Sequence, residues 1–218
     1  MSRSRGFTLI EMLVVLGLLL LLTSFLMPSL LGLKASQKVK ECRAEIAWLK
    51  TVLEQYRDEF GDYPPSRMTD LVGSAAAGTP NQGNRALVTC LATTRGRTPY
   101  LRSYIANNPD KMRAVKGQTL AAEQLDWIFT DRQVRELLDP WGCPYIYLHN
   151  RDYGPDIGYV YTLDGDAVTP QKRYDLDADR NPIEATGVYH GATSFQIWSC
   201  GPNKLNDSGG KDDITSWQ

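Results

Sequence analysis

The sequence predicts an α+β fold in which a long N-terminal helix packs on a small antiparallel sheet. Three observations carry this. An apolar run fills residues 7–33 with Glu11 as its only charge, a periodic stripe continues it to Phe60, and the C-terminal half holds short aromatic and β-branched runs between turn residues. A chain of 218 residues suits one such head with an N-terminal extension.

The apolar run, FTLIEMLVVLGLLLLLTSFLMPSLLGL, has the length of a membrane span. From Phe7 to Pro28 a helix rising about 1.5 Å per residue reaches roughly 33 Å, against a hydrocarbon layer of about 30 Å. Arg3 and Arg5 precede it, which favours a cytoplasmic N-terminus. A cleaved secretory signal has a shorter apolar core and ends at a small-x-small site, whereas here the run passes into an amphipathic helix. Glu11 stands out, because a carboxylate entering a membrane costs roughly 2.5–3.5 kcal/mol and calls for a partner or a function.

Beyond Pro28, which removes a backbone donor, Val39, Cys42, Ile46, Leu49, Leu53, Tyr56 and Phe60 recur at steps of three and four. Lys40, Arg43, Lys50, Glu54, Arg57 and Asp58 take the opposite face. One side of this segment is therefore wet and the other is expected to cover the head's own sheet, the alternative being a coiled-coil seam of about three heptads. The pattern stops at Gly61-Asp62-Tyr63-Pro64-Pro65. A polar stretch, 73–83, reads as a loop, 85–92 as a short helix, and Leu120–Leu138 as a helix through Leu125, Ile128, Phe129, Val134 and Leu137. Residues 144–148, 157–163 and 193–199 read as three strands. Asp139-Pro140-Trp141-Gly142 is a turn by its chemistry.

Charge and motifs narrow the function. With 24 Lys+Arg against 25 Asp+Glu there is no basic field to hold nucleic acid. Only two histidines occur, His149 and His190, and no HExxH, GxxxxGK[ST] or GxSxG motif is present, so no enzymatic role is expected. The four cysteines contain no CxxC pair and allow three disulfide connectivities. Cys143 with Cys200 is the favoured pairing, since both lie beside predicted strands.

Arg5-Gly6-Phe7-Thr8-Leu9-Ile10-Glu11, heading an apolar helix at the chain start, resembles the processing motif of the type IV pilin-like superfamily. The resemblance implies a leader, residues 1–6, cut after Gly6 by a prepilin peptidase, with methylation of the new N-terminus at Phe7. It implies a transmembrane and filament-core helix over 7–33, and a periplasmic pilin-like head over 34–218 that includes the amphipathic half of the helix. Glu11 would pair with the terminal amine of a neighbouring copy, each charge neutralising the other where both are costly alone.

Asp139-Pro140-Trp141-Gly142-Cys143-Pro144-Tyr145, Ser199-Cys200-Gly201-Pro202-Asn203 and Asp212-Asp213-Ile214-Thr215-Ser216-Trp217 are similar to segments of the major pseudopilins of type II secretion. The likeness covers 6–65, 137–150 and 193–217, more loosely 84–91, while 92–136 and 151–192 exceed the compact family. It implies a structural subunit of a pseudopilus, a homo-oligomer working with other pseudopilins and an inner-membrane secretion platform. The chain would sit in the inner membrane as a single-pass protein before assembly.

The same likeness implies a structural calcium in the C-terminal loop, with Asp213 and Asp207 as carboxylates, Thr215 and Ser216 as hydroxyl or carbonyl donors, and Asn203 where the family has an aspartate. The residue types suit it, because calcium takes six to eight oxygens from a flexible loop. Asp175-x-Asp177-x-Asp179-x-Asn181 resembles the start of an EF-hand loop but lacks its Gly at position six and Glu at twelve, and ranks behind. The alternatives are a type IV pilus subunit or a DNA-uptake pilin. The latter needs a basic aromatic strip, for which Arg95–Arg102 (RGRTPYLR) is the candidate.

Overall fold

Helix α1, Leu9–Phe60, begins where Thr8 caps it and runs through Pro28 to a stop at Gly61, whose φ of 85° suits a residue without a Cβ. The computed structural model describes residues 8–72, 80–93, 100–120, 128–129, 131–153, 172–176, 182–207, 209–210 and 212–217, without the side chains of 25–33, 72, 172–176 and 182–188. The chain divides into two compact units, Met1–Lys38 and Val39–Gln218.

In the first unit every described side chain from Thr8 to Ser24 is exposed, Leu9 at 83% and Leu20 at 70% among them. The hydroxyls in this apolar run serve themselves. Thr23 donates to the Leu19 and Leu20 carbonyls at 3.0 and 2.9 Å, and Ser24 to that of Leu21 at 2.7 Å, so neither demands water. Among the described residues no helix is long and apolar enough to cross a membrane. The span expected over 7–33 extends past the described side chains, which stop at Ser24.

In the second unit the stripe on α1 is the core. Cys42, Ile46, Leu49 and Leu53 are buried against Tyr145, Tyr147, Ile197 and Ile214 of a three-stranded sheet. That sheet comprises β3 (Ile146–His149), β6 (Phe195–Ser199) and β7 (Ile214–Thr215) in the order β3-β6-β7, all antiparallel. Tyr147 faces Ile197 on the α1 side, and Ile146 faces Trp198 on the other, where Leu148 and Cys200 join a second buried cluster. Both faces are covered, so every residue of β3 and β6 is buried, the polar His149, Gln196 and Ser199 included. Phe60 departs from the expected stripe: at the helix end it is 41% exposed.

Glu45 also lies on the covered side of α1, where an acid was not anticipated. It accepts hydrogen bonds from Tyr145 at 2.5 Å and Tyr104 at 3.1 Å, with Lys111 at 2.8 Å. Three donors from distant segments make its burial tolerable.

Among the described residues there are three further α-helices, α2 (Thr69–Val72), α3 (Gln82–Leu91) and α4 (Arg102–Asn107). Helix α3 is wholly buried and starts three residues earlier than the composition suggested. Its Asn84 donates to the carbonyls of Leu137 and Tyr145 and accepts from the Leu137 amide, tying α3 to two strands at once. The predicted helix over Leu120–Leu138 is corrected. Residues 133–137 form strand β2 (Gln133–Leu137), antiparallel to β1 (Met112–Thr119), and Arg132 at φ 53° breaks any helical path. Val134 and Leu137, spaced as on a helix, instead enter two separate buried clusters. A further hairpin pairs β4 (Lys172–Leu176) with β5 (Pro182–Tyr189). The predicted strand at 157–163 lies outside the described residues.

The hairpin β1–β2 holds a buried charge. Glu136 is 2% exposed and contacts Arg85 at 2.9 Å, Arg113 at 2.6 Å and the Asn81 amide at 3.0 Å. Burial alone would raise its carboxyl, but Asn81, Arg113 and Arg85 outweigh that and hold it below the usual range. Glu136→Ala is expected to cost about 3–5 kcal/mol in chemical denaturation, because Arg85 stays buried without its counter-charge. Since the folded carboxyl titrates lower than the unfolded one, its contribution is complete above the unfolded value near 4.3 and fades as pH falls through the folded one. A Glu136→Gln chain should therefore lose less stability on acidification than the parent.

Candidate assembly segment and C-terminal acidic loop

The first site is the head of α1. Gly6 and Phe7 lie outside the described residues, but Thr8 and Glu11 form a capping box. The Thr8 amide and hydroxyl both donate to Glu11 Oε2 at 2.8 Å, and the Glu11 amide donates to Thr8 Oγ1 at 3.3 Å. One oxygen is thereby used twice, and Oε1 has no partner among the described residues. The spacing Thr-x-x-Glu was visible in the sequence, yet the local role of Glu11 was missed beside its proposed role between copies. Next to this acid the helix presents only uncovered apolar surface, with Ile10 70%, Leu13 64% and Leu16 59% exposed. An exposed apolar stretch of this length marks a surface meant for lipid or protein.

The second site is the loop between β6 and β7. Carboxylate oxygens of Asp207, Asp212 and Asp213 lie within 4.8 Å of one another. Asn203 organises the outer two: its amide nitrogen donates to Asp207 at 3.0 Å and Asp212 at 2.5 Å, and its backbone N–H to Asp212 at 3.0 Å. Gly201 at φ 62° makes the tight approach to the Asp212 carbonyl that any Cβ would block. Asp213 is the buried member at 3% exposure; the Gly209 amide donates to its Oδ2 at 2.7 Å, while Oδ1 has no partner. Burial, with the charges of Asp207 and Asp212 behind it, pushes the Asp213 carboxyl up to about 7.

Three clustered acids, one with a buried oxygen that nothing satisfies, suit a hard divalent cation better than a bare loop. Of the residues expected from the sequence, Asp207 and Asp213 converge. Asn203 binds the acids through its nitrogen, with its oxygen accepting from the Leu205 amide at 2.7 Å. Thr215 has a buried hydroxyl without a partner. Ser216 points elsewhere: its hydroxyl accepts from the Ile197 amide at 3.2 Å and its carbonyl from Lys50 at 2.8 Å. Asp212, an acid of the same loop that was not among the expected ligands, joins them.

Other expectations resolve nearby. The Asp139 turn forms as its chemistry implied, with Asp139 Oδ1 accepting from the Trp141 and Cys143 amides at 2.9 Å and Ser199 donating to Oδ2 at 2.5 Å. Cys143 and Cys200, the favoured disulfide pair, are both buried. Strand alternation places Cys200 with Trp198 on the sheet face away from α1, while Cys143 precedes Tyr145, which faces α1. In the basic strip Arg95–Arg102, residues 95–99 fall outside the described ones. Leu101 is buried, and the Tyr100 hydroxyl is engaged by Glu59, with its ring centroid 6.2 Å from that of Tyr56 on α1. Asp175 has no described side chain, and Asp177, Asp179 and Asn181 lie outside the described residues altogether.

Comparison with known proteins agrees with this arrangement. Residues 1–27 match the prokaryotic N-terminal methylation motif. The chain is 28% identical over 165 residues to the type II secretion system core protein G of Vibrio cholerae serotype O1, covering 76% of this chain and 84% of that protein. It is 28% identical over 167 residues to the core protein G of Aeromonas hydrophila, covering 77% and 88%. Against the Klebsiella pneumoniae core protein G it is 30% identical over 104 residues, covering 48% and 61%. No solved structure matches the chain. With an N-terminal methylation motif at the start of an apolar helix, and α1 laid on a three-stranded sheet, the chain resembles the type IV pilin-like proteins and, among them, the core protein G subunits of type II secretion systems.

Proposed function

We infer that this chain is a structural subunit of a type II secretion pseudopilus, made as a precursor, processed at Gly6–Phe7 and polymerised through α1. The observation that carries this reading is the uncovered apolar rod from Leu9 to Leu22 with Glu11 near its start. Before assembly, lipid of the inner membrane covers the rod, the N-terminus is cytoplasmic and the head is periplasmic. After assembly, the rods of sister subunits cover one another, and the head stays in water. Other pseudopilins and the inner-membrane secretion platform are the further partners, and the role is mechanical rather than catalytic.

A structural calcium belongs to the same reading. Asp207, Asp212 and Asp213 would hold it, with Thr215 contributing its hydroxyl. The ion supplies positive charge that removes the repulsion among three acids and satisfies the buried Asp213 oxygen. Its effect is to fix the loop that leads into β7.

Processing is checked by mass analysis of protein co-produced with a prepilin peptidase. The expected N-terminus is N-methylated Phe7; recovery of the chain beginning at Met1 would count against this function.

A further inference from the structure

A shallow groove of about 140 Å³ opens between α1 and the edge strand β7. Its α1 wall is Arg43, Ile46, Ala47 and Lys50, and its other wall is Ile214 and Thr215. The floor is apolar and the rim is basic. Arg43 is exposed and has neither a hydrogen bond nor an ion pair among the described residues. Lys50 donates to a single acceptor, the Ser216 carbonyl at 2.8 Å, and keeps two N–H bonds for another. Two cations with spare donors over apolar walls make a receptor for a carboxylate on a short side chain.

We propose that this groove receives the Asp58 carboxylate of a second copy of this chain, a contact that rests on the pseudopilus reading above. Asp58 lies on the same strip of α1 as Arg43, Ala47 and Lys50, since 15 residues at 100° each return to within about 60° of Arg43. Its side chain is 69% exposed, Arg57 engages only its Oδ1, and Oδ2 has no partner among the described residues. The strip is thus basic toward its N-terminal end, while Glu54, Arg57 and Asp58 give its C-terminal end one net negative charge. Copies whose heads lie side by side in parallel present this strip to one another in the same orientation, and a shift along the axis lays the acid of one on the cations of the next. Lys50 and Asp58 are eight residues apart, so their pairing between copies sets an offset of about 12 Å. Within one copy the same 12 Å keeps them from meeting, so any direct bond between them joins two chains.

Zero-length carbodiimide coupling of filaments assembled from the full, processed chain tests this. Filaments built from mixed light and ¹⁵N-labelled copies are expected to yield a Lys50–Asp58 isopeptide with one light and one heavy arm. Arg43→Asp and Asp58→Arg are each expected to lower sedimentable filament at least about tenfold, and the double exchange to restore most of it. Both positions are solvent-facing, and an unchanged melting temperature in each single variant ascribes the loss to the contact. Wild-type filaments without the hybrid peptide would overturn the groove contact and leave the pseudopilus intact. A link from Lys50 to a different polypeptide would overturn the second copy as occupant. Failure of the processed wild type to sediment would remove the pseudopilus reading, and this contact with it.

Discussion

Glu11→Ala is expected to leave the chain inserted and processed in the inner membrane but to reduce filament recovered by shearing roughly a hundredfold. The size follows from the cost of an uncompensated charge at membrane depth, about 2.5–3.5 kcal/mol, which assembly would then impose on the terminal ammonium of each incoming copy. The structure adds a complication, because the alanine also deletes the capping box with Thr8, worth about 1 kcal/mol of local helix stability. Glu11→Gln separates the two effects. A glutamine at that position still closes the box but carries no charge. If charge pairing drives assembly, Gln fails as badly as Ala. Recovery of normal filaments with Gln would instead assign the effect to the cap, and the pairing role would be lost.

The capping geometry also bears on how assembly proceeds. Both contacts from Thr8 fall on Glu11 Oε2, so an ammonium approaching Oε1 need not break the cap. A helix whose first turn is already fixed presents its acid at a defined position and loses less conformational freedom on docking. On the proposed pairing, the same carboxylate would serve the isolated subunit through its cap and the assembled one through its charge.

How much of this was legible from residues alone differs by element. The stripe Cys42, Ile46, Leu49, Leu53 is local and periodic, and it lies buried as read. Glu45, one step off that stripe, could not be placed, because its partners Tyr104, Lys111 and Tyr145 are brought in by segments 59 to 100 residues away. Residues 133–137 were misread for a related reason. Their helix-like spacing is a local signal, whereas the Glu136 contact with Arg85 and Arg113 that holds them as a strand is set by tertiary structure. In the C-terminal loop all three acids were visible, but which of them converge depends on the left-handed turn at Gly201 and on Asn203 reaching nine residues forward to Asp212. Turn chemistry at Asp139, by contrast, was carried by residue types alone and formed as written.

Calcium should raise the melting temperature of the full chain in detergent, and Asp213 should be the residue on which that rise depends. At a calcium concentration about a hundred times its Kd the gain is about 2.7 kcal/mol, or roughly 5–10 °C for a head of this size. Trp198 reports on the loop directly, since its indole N–H donates to Asn206 at 3.2 Å. Asp213→Ala is expected to abolish the rise, and Asp212→Ala to weaken it, because each removes a carboxylate from the same cluster. Loss of fold must be distinguished from loss of ligand, and Asp213→Asn does so. In the calcium-free chain Asp213 is a buried acid facing two others, with a carboxyl pushed up to about 7, so neutralising it relieves repulsion. The asparagine chain should then melt at or above the parent in chelator, yet gain nothing from calcium. A calcium response that survives in Asp213→Asn, or a parent chain indifferent to chelator, would refute this loop as the metal site.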